Sequence, residues 1–192
     1  SPSVWRRDGV IATNDLPDDP FGGNLTIQLE AGAGDGKING SPDVPVGSGA
    51  GGDTIYYTFY LKYFDASEID RVIFLVQNSD LDYSGVAVSL GISGAAPSIA
   101  AYLNDEYFEA YSVEQVGSSD PDGHFWATVE VSILRENQSD PTAVRIWPRN
   151  GGILPNVGES VYIYGLTAST REDEDYVPTY GTPVNAISAT KC

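Results

Sequence analysis

The chain contains a single histidine, His124, which would have to take part in any serine–histidine–aspartate hydrolase site. It follows the turn dipeptide Asp122-Gly123, and no Gly-x-Ser-x-Gly segment occurs anywhere in the sequence. The glycine-rich segment 47–52 is followed by Asp53 rather than by the lysine that a phosphate-binding loop requires. We therefore assign no catalytic residue and expect no enzymatic activity.

Acidic residues are the other chemical feature, because 27 Asp and Glu stand against 10 Lys and Arg, giving a formal charge of −17. So many acids form carboxylate pairs by chance, and such pairs therefore do not indicate a glycosidase. Hard cations such as calcium bind carboxylate oxygens, but no cluster has the spacing Asp-x-Asp-x-Asp-Gly. We assign no metal ligand and no cofactor, and a structural calcium ion remains an alternative. Its candidate ligands are Asp15, Asp18 and Asp19; Asp80 and Asp82; and segment 172–175.

The charge also restricts the partners of the protein. A nucleic-acid binder needs a basic patch, and anionic lipid likewise attracts basic residues, so we expect neither nucleic acid nor membrane as a partner. No run approaches the roughly 18 apolar residues of a membrane helix. The single cysteine, Cys192, cannot form a disulfide within the chain. An acidic surface with only three lysines suits a salty medium or a particle surface that must stay dispersed.

Short segments rich in Val, Ile, Tyr, Phe and Thr are separated by turn dipeptides such as Asn39-Gly40 and Asp122-Gly123. Spacing of roughly ten residues between such segments is typical of an all-β sandwich or barrel. The segment 71–77 is apolar on both faces, which indicates a central strand. The predicted strands are 25–30, 54–64, 71–77, 84–90, 98–103, 107–115, 124–134, 142–147 and 160–167.

Alternation within these strands separates a core face from an outer face. In segment 54–64, Ile55, Tyr57, Phe59 and Leu61 share the core face, and in 160–167 the residue Leu166 falls on the outer face. Outward aromatic side chains stack on sugar rings or become buried against another subunit, and both interpretations stay open beside simple surface exposure. The candidate binding residues are Tyr56, Tyr60, Trp126, Arg145, Trp147 and Tyr162, with Arg145 as a hydrogen-bonding fork.

We predict one domain over 1–192, because no internal repeat of fixed period occurs and a lone early strand needs a sheet to join. Residues 1–24 are predicted as an irregular N-terminal arm and 31–53 as a glycine-rich loop. Residues 54–185 form the sandwich core in this prediction. One helical turn is predicted at 66–70, since Asp65 and Glu68 have the spacing of a helix cap.

Three stretches of the chain form a recognisable set: Tyr57-Thr-Phe-Tyr-Leu-Lys62, Asp122-Gly-His-Phe-Trp126, and Val161-Tyr-Ile-Tyr-Gly165 followed by Asp175-Tyr-Val-Pro-Thr179. Together they resemble the jelly-roll modules of tailed-bacteriophage tail-fibre and tailspike proteins, which are distantly similar to carbohydrate-binding β-sandwiches. The first stretch stands where that family has a Tyr-Thr-Phe strand, the second resembles another family segment, and the third resembles the closing one. The chain departs from the family at 166–168, where a Gln-Leu-Glu sequence would stand.

The resemblance spans about 54 to 185 and implies an antiparallel, jelly-roll-like β-sandwich. It implies a bacteriophage structural protein exposed on the virion surface, acting as a capsid decoration or cement protein or as a tail-fibre type. A homo-oligomer is expected, with a trimer favoured, in contact with other virion proteins. The alternative is an adhesin tip that binds host polysaccharide, or a secreted carbohydrate-binding module.

Overall fold

A computed structural model of the chain describes residues 5–8, 10–16, 19–33, 37–40, 52–63, 69–78, 80, 83–90, 95–104, 106–135, 143–150 and 155–169. These residues form strands and turns, and none of them belongs to a helix. The described residues therefore contain no helix long and apolar enough to cross a membrane. Their strands are β1 (Trp5–Asp8), β2 (Val10–Leu16), β3 (Thr26–Ala31), β4 (Lys37–Gly40), β5 (Thr54–Tyr63), β6 (Arg71–Gln77), β7 (Tyr83–Ser89), β8 (Ser98–Leu103), β9 (Phe108–Val116), β10 (Trp126–Leu134), β11 (Ala143–Arg149) and β12 (Ser160–Ser169).

The strands form two sheets in which every pair of neighbours is antiparallel. Sheet I has the order β1-β4-β11-β6-β7-β8, and sheet II has the order β2-β3-β12-β5-β10-β9. One hydrophobic cluster draws its side chains from the inner faces of both sheets. The predicted all-β class and the antiparallel β-sandwich are therefore confirmed. The first and last residues of each predicted strand lie within two residues of those of an observed strand.

Strand β5 shows why this sequence folds into two layers. Ile55, Tyr57, Phe59 and Leu61 alternate along β5 and are each 0% exposed, as predicted. Across the sandwich, the rings of Phe59 and Phe74 stack with centroids 5.3 Å apart, and that of Tyr57 lies 5.2 Å from Phe74. Burying each such side chain contributes roughly 1.5–3 kcal/mol, so this alternation supplies much of the force that holds the layers together.

Strand β6 is central, as its apolar sequence predicts, since it lies between β11 and β7 in sheet I. Its outward-facing residues Ile73 and Leu75 are 0% exposed although they point away from the inter-sheet core. Gly85 is opposite Leu75 on β7, and a Cβ added there would collide with the Leu75 side chain. Sheet I is therefore close-packed on its outer side as well as on its inner side.

The predicted irregular arm at 1–24 and loop at 31–53 need correction, because they contain β1, β2 and β4. Asn39-Gly40, predicted as a turn, lies within β4, where Gly40 is opposite both Trp5 and Val144. Such short strands gain their hydrogen bonds from the edge of a sheet already formed by distant residues. The sequence of a short segment alone therefore does not predict that it becomes a strand. The predicted helical turn at 66–70 lies largely outside the described residues.

A β-bulge in β12 changes which side chains face outward. The register with β5 shifts between Tyr164 and Thr167, and Gly165 at the shift has a φ of 64°. An extra residue in one strand reverses the alternation that follows it. Leu166 therefore packs against the core, which corrects the prediction that it faces outward with Tyr164.

Candidate functional site

Four of the six predicted binding residues lie on one surface, the outer face of sheet II. Tyr56 and Tyr60 alternate outward along β5, and Trp126 and Tyr162 both stand opposite Lys62 from the two neighbouring strands. Tyr56 is four residues from Tyr60, about 13 Å along an extended strand, so it lies apart from the other three. The antiparallel pairing of β12, β5 and β10 thus brings three sequence-distant aromatics into adjacent positions.

At the centre of this surface four rings form a cluster, which we call the aromatic patch: Phe21, Tyr60, Trp126 and Tyr164. The ring of Tyr164 has its centroid 5.7 Å from that of Tyr60 and 6.5 Å from that of Trp126. The ring of Phe21 meets that of Tyr60 edge-on, with centroids 5.5 Å apart, and lies tilted against that of Tyr164 at 5.8 Å. Edge-to-face contacts at these distances add roughly 0.5–1.5 kcal/mol each beyond simple burial.

The four rings are buried to very different extents. Tyr164 is 3% exposed and Trp126 8% exposed, whereas Phe21 is 64% exposed. Tyr164 and Trp126 therefore form the floor of the aromatic patch, and Phe21 stands above them in contact with solvent. An apolar ring held in that position offers a partner a hydrophobic contact whose geometry is already fixed.

The turn that carries Phe21 is held by one buried carboxylate, that of Asp19. Its Oδ1 accepts hydrogen bonds from the backbone N–H of Phe21 (2.9 Å) and of Gly23 (2.8 Å), and its Oδ2 accepts one from Leu25 N–H (3.3 Å). A Cβ on Gly23 would collide with this carboxylate and displace it from its backbone donors. Asp19 thereby fixes the position of Phe21 above sheet II.

A charged group borders the aromatic patch beside Trp126. Lys62 Nζ lies 2.8 Å from Asp120 Oδ2, and His124 Nδ1 lies 3.7 Å from Asp120 Oδ1. The same Oδ1 accepts hydrogen bonds from the backbone N–H of Asp122 (3.1 Å) and of His124 (2.9 Å). These contacts fasten the turn before β10 to the outer face of sheet II.

The contacts of Asp120 also determine its protonation. Partial burial raises the pKa of the Asp120 carboxyl, but the hydrogen bonds from Lys62 and from the His124 backbone outweigh it and leave that pKa below its ordinary value. Asp120 is therefore ionised at neutral pH and engaged by several donors. This arrangement favours a role in positioning the turn over proton transfer.

Arg145 and Trp147, the other two predicted residues, lie on the outer face of sheet I instead. Arg145 Nη2 donates a hydrogen bond of 3.1 Å to Gln77 Oε1, and its guanidinium lies 4.8 Å from the centroid of the Tyr83 ring. The guanidinium of Arg149 lies 4.6 Å from the Trp147 ring centroid. Since both sheets and the core separate Arg145 from the aromatic patch, it cannot be a hydrogen-bonding fork for a ligand bound there.

The candidate calcium ligands are only partly described. Asp18, Asp82 and segment 172–175 lie outside the described residues, and the Asp19 carboxylate is occupied by the three backbone donors given above. Within the described ranges, no group of three or more His, Cys, Asp and Glu residues could hold a metal ion.

Two residues of the aromatic patch, Phe21 and Tyr164, are not among the binding residues that the sequence predicted. The alternation of β12 places Tyr164 beside Tyr162 on the outer face, so that signal was present in the sequence. Phe21 has no comparable signal, because its contact with Tyr60 joins segments about forty residues apart in a stretch predicted to be irregular.

Comparison with known proteins gives no further guide: no protein-family model matches the chain, and no curated protein matches it. The functional argument therefore rests on the strand order and on the aromatic patch.

Proposed function

We propose that this chain is a non-enzymatic structural protein of a bacteriophage virion, exposed on the particle surface as a capsid decoration or cement protein or as a tail-fibre type. The observation that carries the proposal is the order of the strands in the two sheets. That order supports the jelly roll, an architecture that recurs in viral capsid proteins and in lectins.

In a jelly roll, eight strands, numbered in chain order, are shared between two sheets. The first, eighth, third and sixth lie side by side in one sheet, and the second, seventh, fourth and fifth in the other. Counting β3, β4, β5, β6, β7, β10, β11 and β12 as the eight, the runs β3-β12-β5-β10 and β4-β11-β6-β7 have this order. Strands β1, β2, β8 and β9 then extend the edges of the two four-stranded sheets.

The aromatic patch supports a role in contact with another protein. Aromatic residues are enriched in protein interfaces, where a rigid ring buries a large area at little entropic cost. Phe21 is 64% exposed, yet its turn is fixed by Asp19. We propose that the aromatic patch packs against a second copy of the chain, in a trimer, or against a neighbouring virion protein.

The alternative function is the binding of host polysaccharide, as an adhesin tip or as a secreted carbohydrate-binding module. The observation that favours it is the polar group beside the rings. A sugar could stack on Phe21 or Tyr60 while its hydroxyls bond to Lys62 and Asp120, which are joined at 2.8 Å.

Immunogold electron microscopy of the source phage particles, with an antibody against this chain, tests the proposal. Regular labelling of the head supports a decoration protein, and labelling confined to the tail supports the tail-fibre type. Intact particles without label, when purified chain on the same grid is labelled, would contradict the proposed virion location.

A pair of matched variants then separates the two binding functions. Phe21→Ala removes the exposed ring, and Val157→Ala removes a 73% exposed apolar side chain from a different loop. If the aromatic patch binds protein, only Phe21→Ala weakens the trimer in sedimentation or reduces binding to stripped capsids. If it binds sugar, only Phe21→Ala reduces glycan-array binding. Equal effects of the two variants in every assay would exclude the aromatic patch as the binding surface.

A further inference from the structure

Arg135 is an arginine whose side chain is almost completely buried, at 1% exposed. It follows directly after β10, and its backbone N–H donates a hydrogen bond of 2.9 Å to the carbonyl of Asp53 beside β5. Its carbonyl accepts one of 2.8 Å from the N–H of Gly52. The alternation of β10 therefore continues to Arg135 and directs its side chain inward, on the same side as Ile133.

Two of the three side-chain nitrogens of Arg135 lack the partners that a buried charge requires. In the part of the chain that the structure describes, Arg135 Nε and Nη1 have no hydrogen-bond partner, and neither have the hydroxyls of Tyr57 and Ser84. A guanidinium never loses its proton in a protein, so Arg135 cannot escape the cost of burial by becoming neutral. Buried charges are stable when they are paired, so Arg135 requires a counter-ion that the described residues do not supply.

Arg135 and Ser84 lie at the same end of the sandwich, and Tyr57 faces the core from β5 beside Val131, in the inward row of β10 that leads through Ile133 to Arg135. Tyr107 joins the ends of β6 and β10, because its hydroxyl accepts a hydrogen bond of 2.9 Å from Asn78 Nδ2 and its carbonyl one of 2.9 Å from Leu134 N–H. Ser84 belongs to this end too, since it stands opposite Val76 near the end of β6.

Tyr57 can serve as a donor at this position. Burial raises the pKa of the Tyr57 hydroxyl far above its ordinary value, and the charge of Arg135 lowers it by a smaller amount. The hydroxyl is therefore protonated at neutral pH. A charged guanidinium and a protonated hydroxyl, both facing inward, make a donor set for an anion.

We propose that this end of the sandwich core binds a small monovalent inorganic anion of the size of chloride, held by the guanidinium of Arg135 and the hydroxyl of Tyr57. Ser84 Oγ is a further donor at the same end. The near-complete burial of Arg135 favours a small occupant, and the apolar surroundings favour a weakly hydrated anion over sulfate or phosphate, which cost more to desolvate. The anion would neutralise one buried positive charge inside a protein whose net charge is −17.

Thermal unfolding at constant sodium concentration tests the site while it keeps general screening constant. We expect the unfolding temperature to rise in a saturable way as isethionate is exchanged for chloride, by about 4 °C when chloride reaches tenfold its dissociation constant. Bromide should act like chloride. Equal unfolding temperatures in chloride and isethionate would overturn the proposal.

Variants locate the effect. In Arg135→Met the chloride dependence should disappear, and in Tyr57→Phe the chloride concentration needed for half the effect should rise several-fold. Arg145→Met, which removes an arginine from the outer face of sheet I, is the control and should keep the full dependence. The readout is the chloride dependence and not the stability itself, because replacing a buried arginine by an apolar residue can stabilise a protein.

Crystals of the wild-type protein soaked in bromide show the position of a bound anion directly, so this test does not require the variants to fold. An anomalous peak within hydrogen-bond distance of the Arg135 guanidinium confirms the site. The lack of such a peak, or a carboxylate of the chain found at that position instead, overturns it.

Discussion

The outer faces of the two sheets both carry aromatic side chains, but the rings have different neighbours. On sheet II the rings of the aromatic patch contact one another, and Phe21 keeps 64% of its surface exposed. On sheet I the guanidinium of Arg145 lies over Tyr83 and that of Arg149 over Trp147. Arg149 is itself only 8% exposed, so its charge is held within the face.

This difference assigns separate roles to the two faces. A guanidinium over a ring occupies the π-surface that a ligand or subunit would use, and each such contact stabilises the fold by roughly 0.5–2 kcal/mol. The ring of Phe21 instead leaves an apolar surface free for a partner. Sheet I thus presents a stabilised outer face, and sheet II presents the face we propose for recognition.

The largest expected loss of stability comes from replacing Trp126 on sheet II, and we compare it with the replacement of Trp147 on sheet I. Trp126→Ala removes a ring that is 8% exposed from the floor of the aromatic patch, and the free energy of unfolding should fall by about 3 kcal/mol. Trp147→Ala removes a half-buried ring whose surface is shared with Arg149, and about 1–2 kcal/mol should be lost. Urea unfolding followed by far-UV circular dichroism measures both. A larger loss for Trp147→Ala would reverse the comparison.

Overpacking tests the claim that the outer side of sheet I is close-packed. Gly85→Ala brings a Cβ against the fully buried Leu75, and the free energy of unfolding should fall by about 1–3 kcal/mol. Ser89→Ala, on the same strand and the same face but half-buried, should change it by less than about 0.5 kcal/mol. If both variants unfold at the wild-type temperature, the outer side of sheet I has room that the structure does not indicate.

On sheet II, the turn that carries Phe21 should depend on Asp19. Asp19→Ala leaves three backbone N–H groups without their acceptor, so we expect a loss of about 1–2 kcal/mol. Amide hydrogen exchange should become faster at Phe21, Gly23 and Leu25. Asp122→Ala, an exposed acid in another turn, should leave those three amides unchanged; faster exchange in both variants would indicate a general loss of stability.

The smallest expected effect is a pH dependence at the border of the aromatic patch. The folded-state pKa of Asp120 lies below its ordinary value, so its ion pair with Lys62 stabilises the fold above the ordinary aspartate pKa of about 3.9. That stability is lost as the pH falls through the lower, folded-state pKa.

The advantage of wild type over Asp120→Asn should be less than about 1 kcal/mol near neutral pH and should vanish in acid. Denaturant unfolding at a series of pH values measures it. Arg71→Met breaks the Arg71–Asp70 ion pair (3.0 Å) at the start of the central strand β6 of sheet I and serves as the comparison. An Asp120 advantage that grew on acidification would contradict the lowered pKa.

Strands β5 and β12 show which side-chain orientations could be predicted from the sequence alone. In β5 a regular alternation predicted Ile55, Tyr57, Phe59 and Leu61 as core and Tyr60 as outward, and all five are so placed. In β12 the same reasoning failed at Leu166, because the bulge at Gly165 depends on how β12 pairs with β5. Glycine at that position was visible, but its conformation was not.

The candidate site divides in the same way. Alternation found Tyr60 and Trp126, because each is set by the period of its own strand. It could not separate Arg145 and Trp147 from them, since the sheet to which a strand belongs is decided by its partners. Phe21 lay beyond reach for the same reason: its position is set by Asp19 within the turn and by Tyr60 and Tyr164 outside it.

By itself, the sequence determined that the protein is built of β-strands and which side of most strands is apolar. These properties are local, because side chains on a strand point alternately to its two faces. Only the tertiary structure decided which strands share a sheet, how the twelve strands of the described residues are ordered, and which rings meet on the outside. Hydrogen-bond pairing between distant segments makes those choices, and residues far apart in the chain select each other through packing that no local pattern encodes.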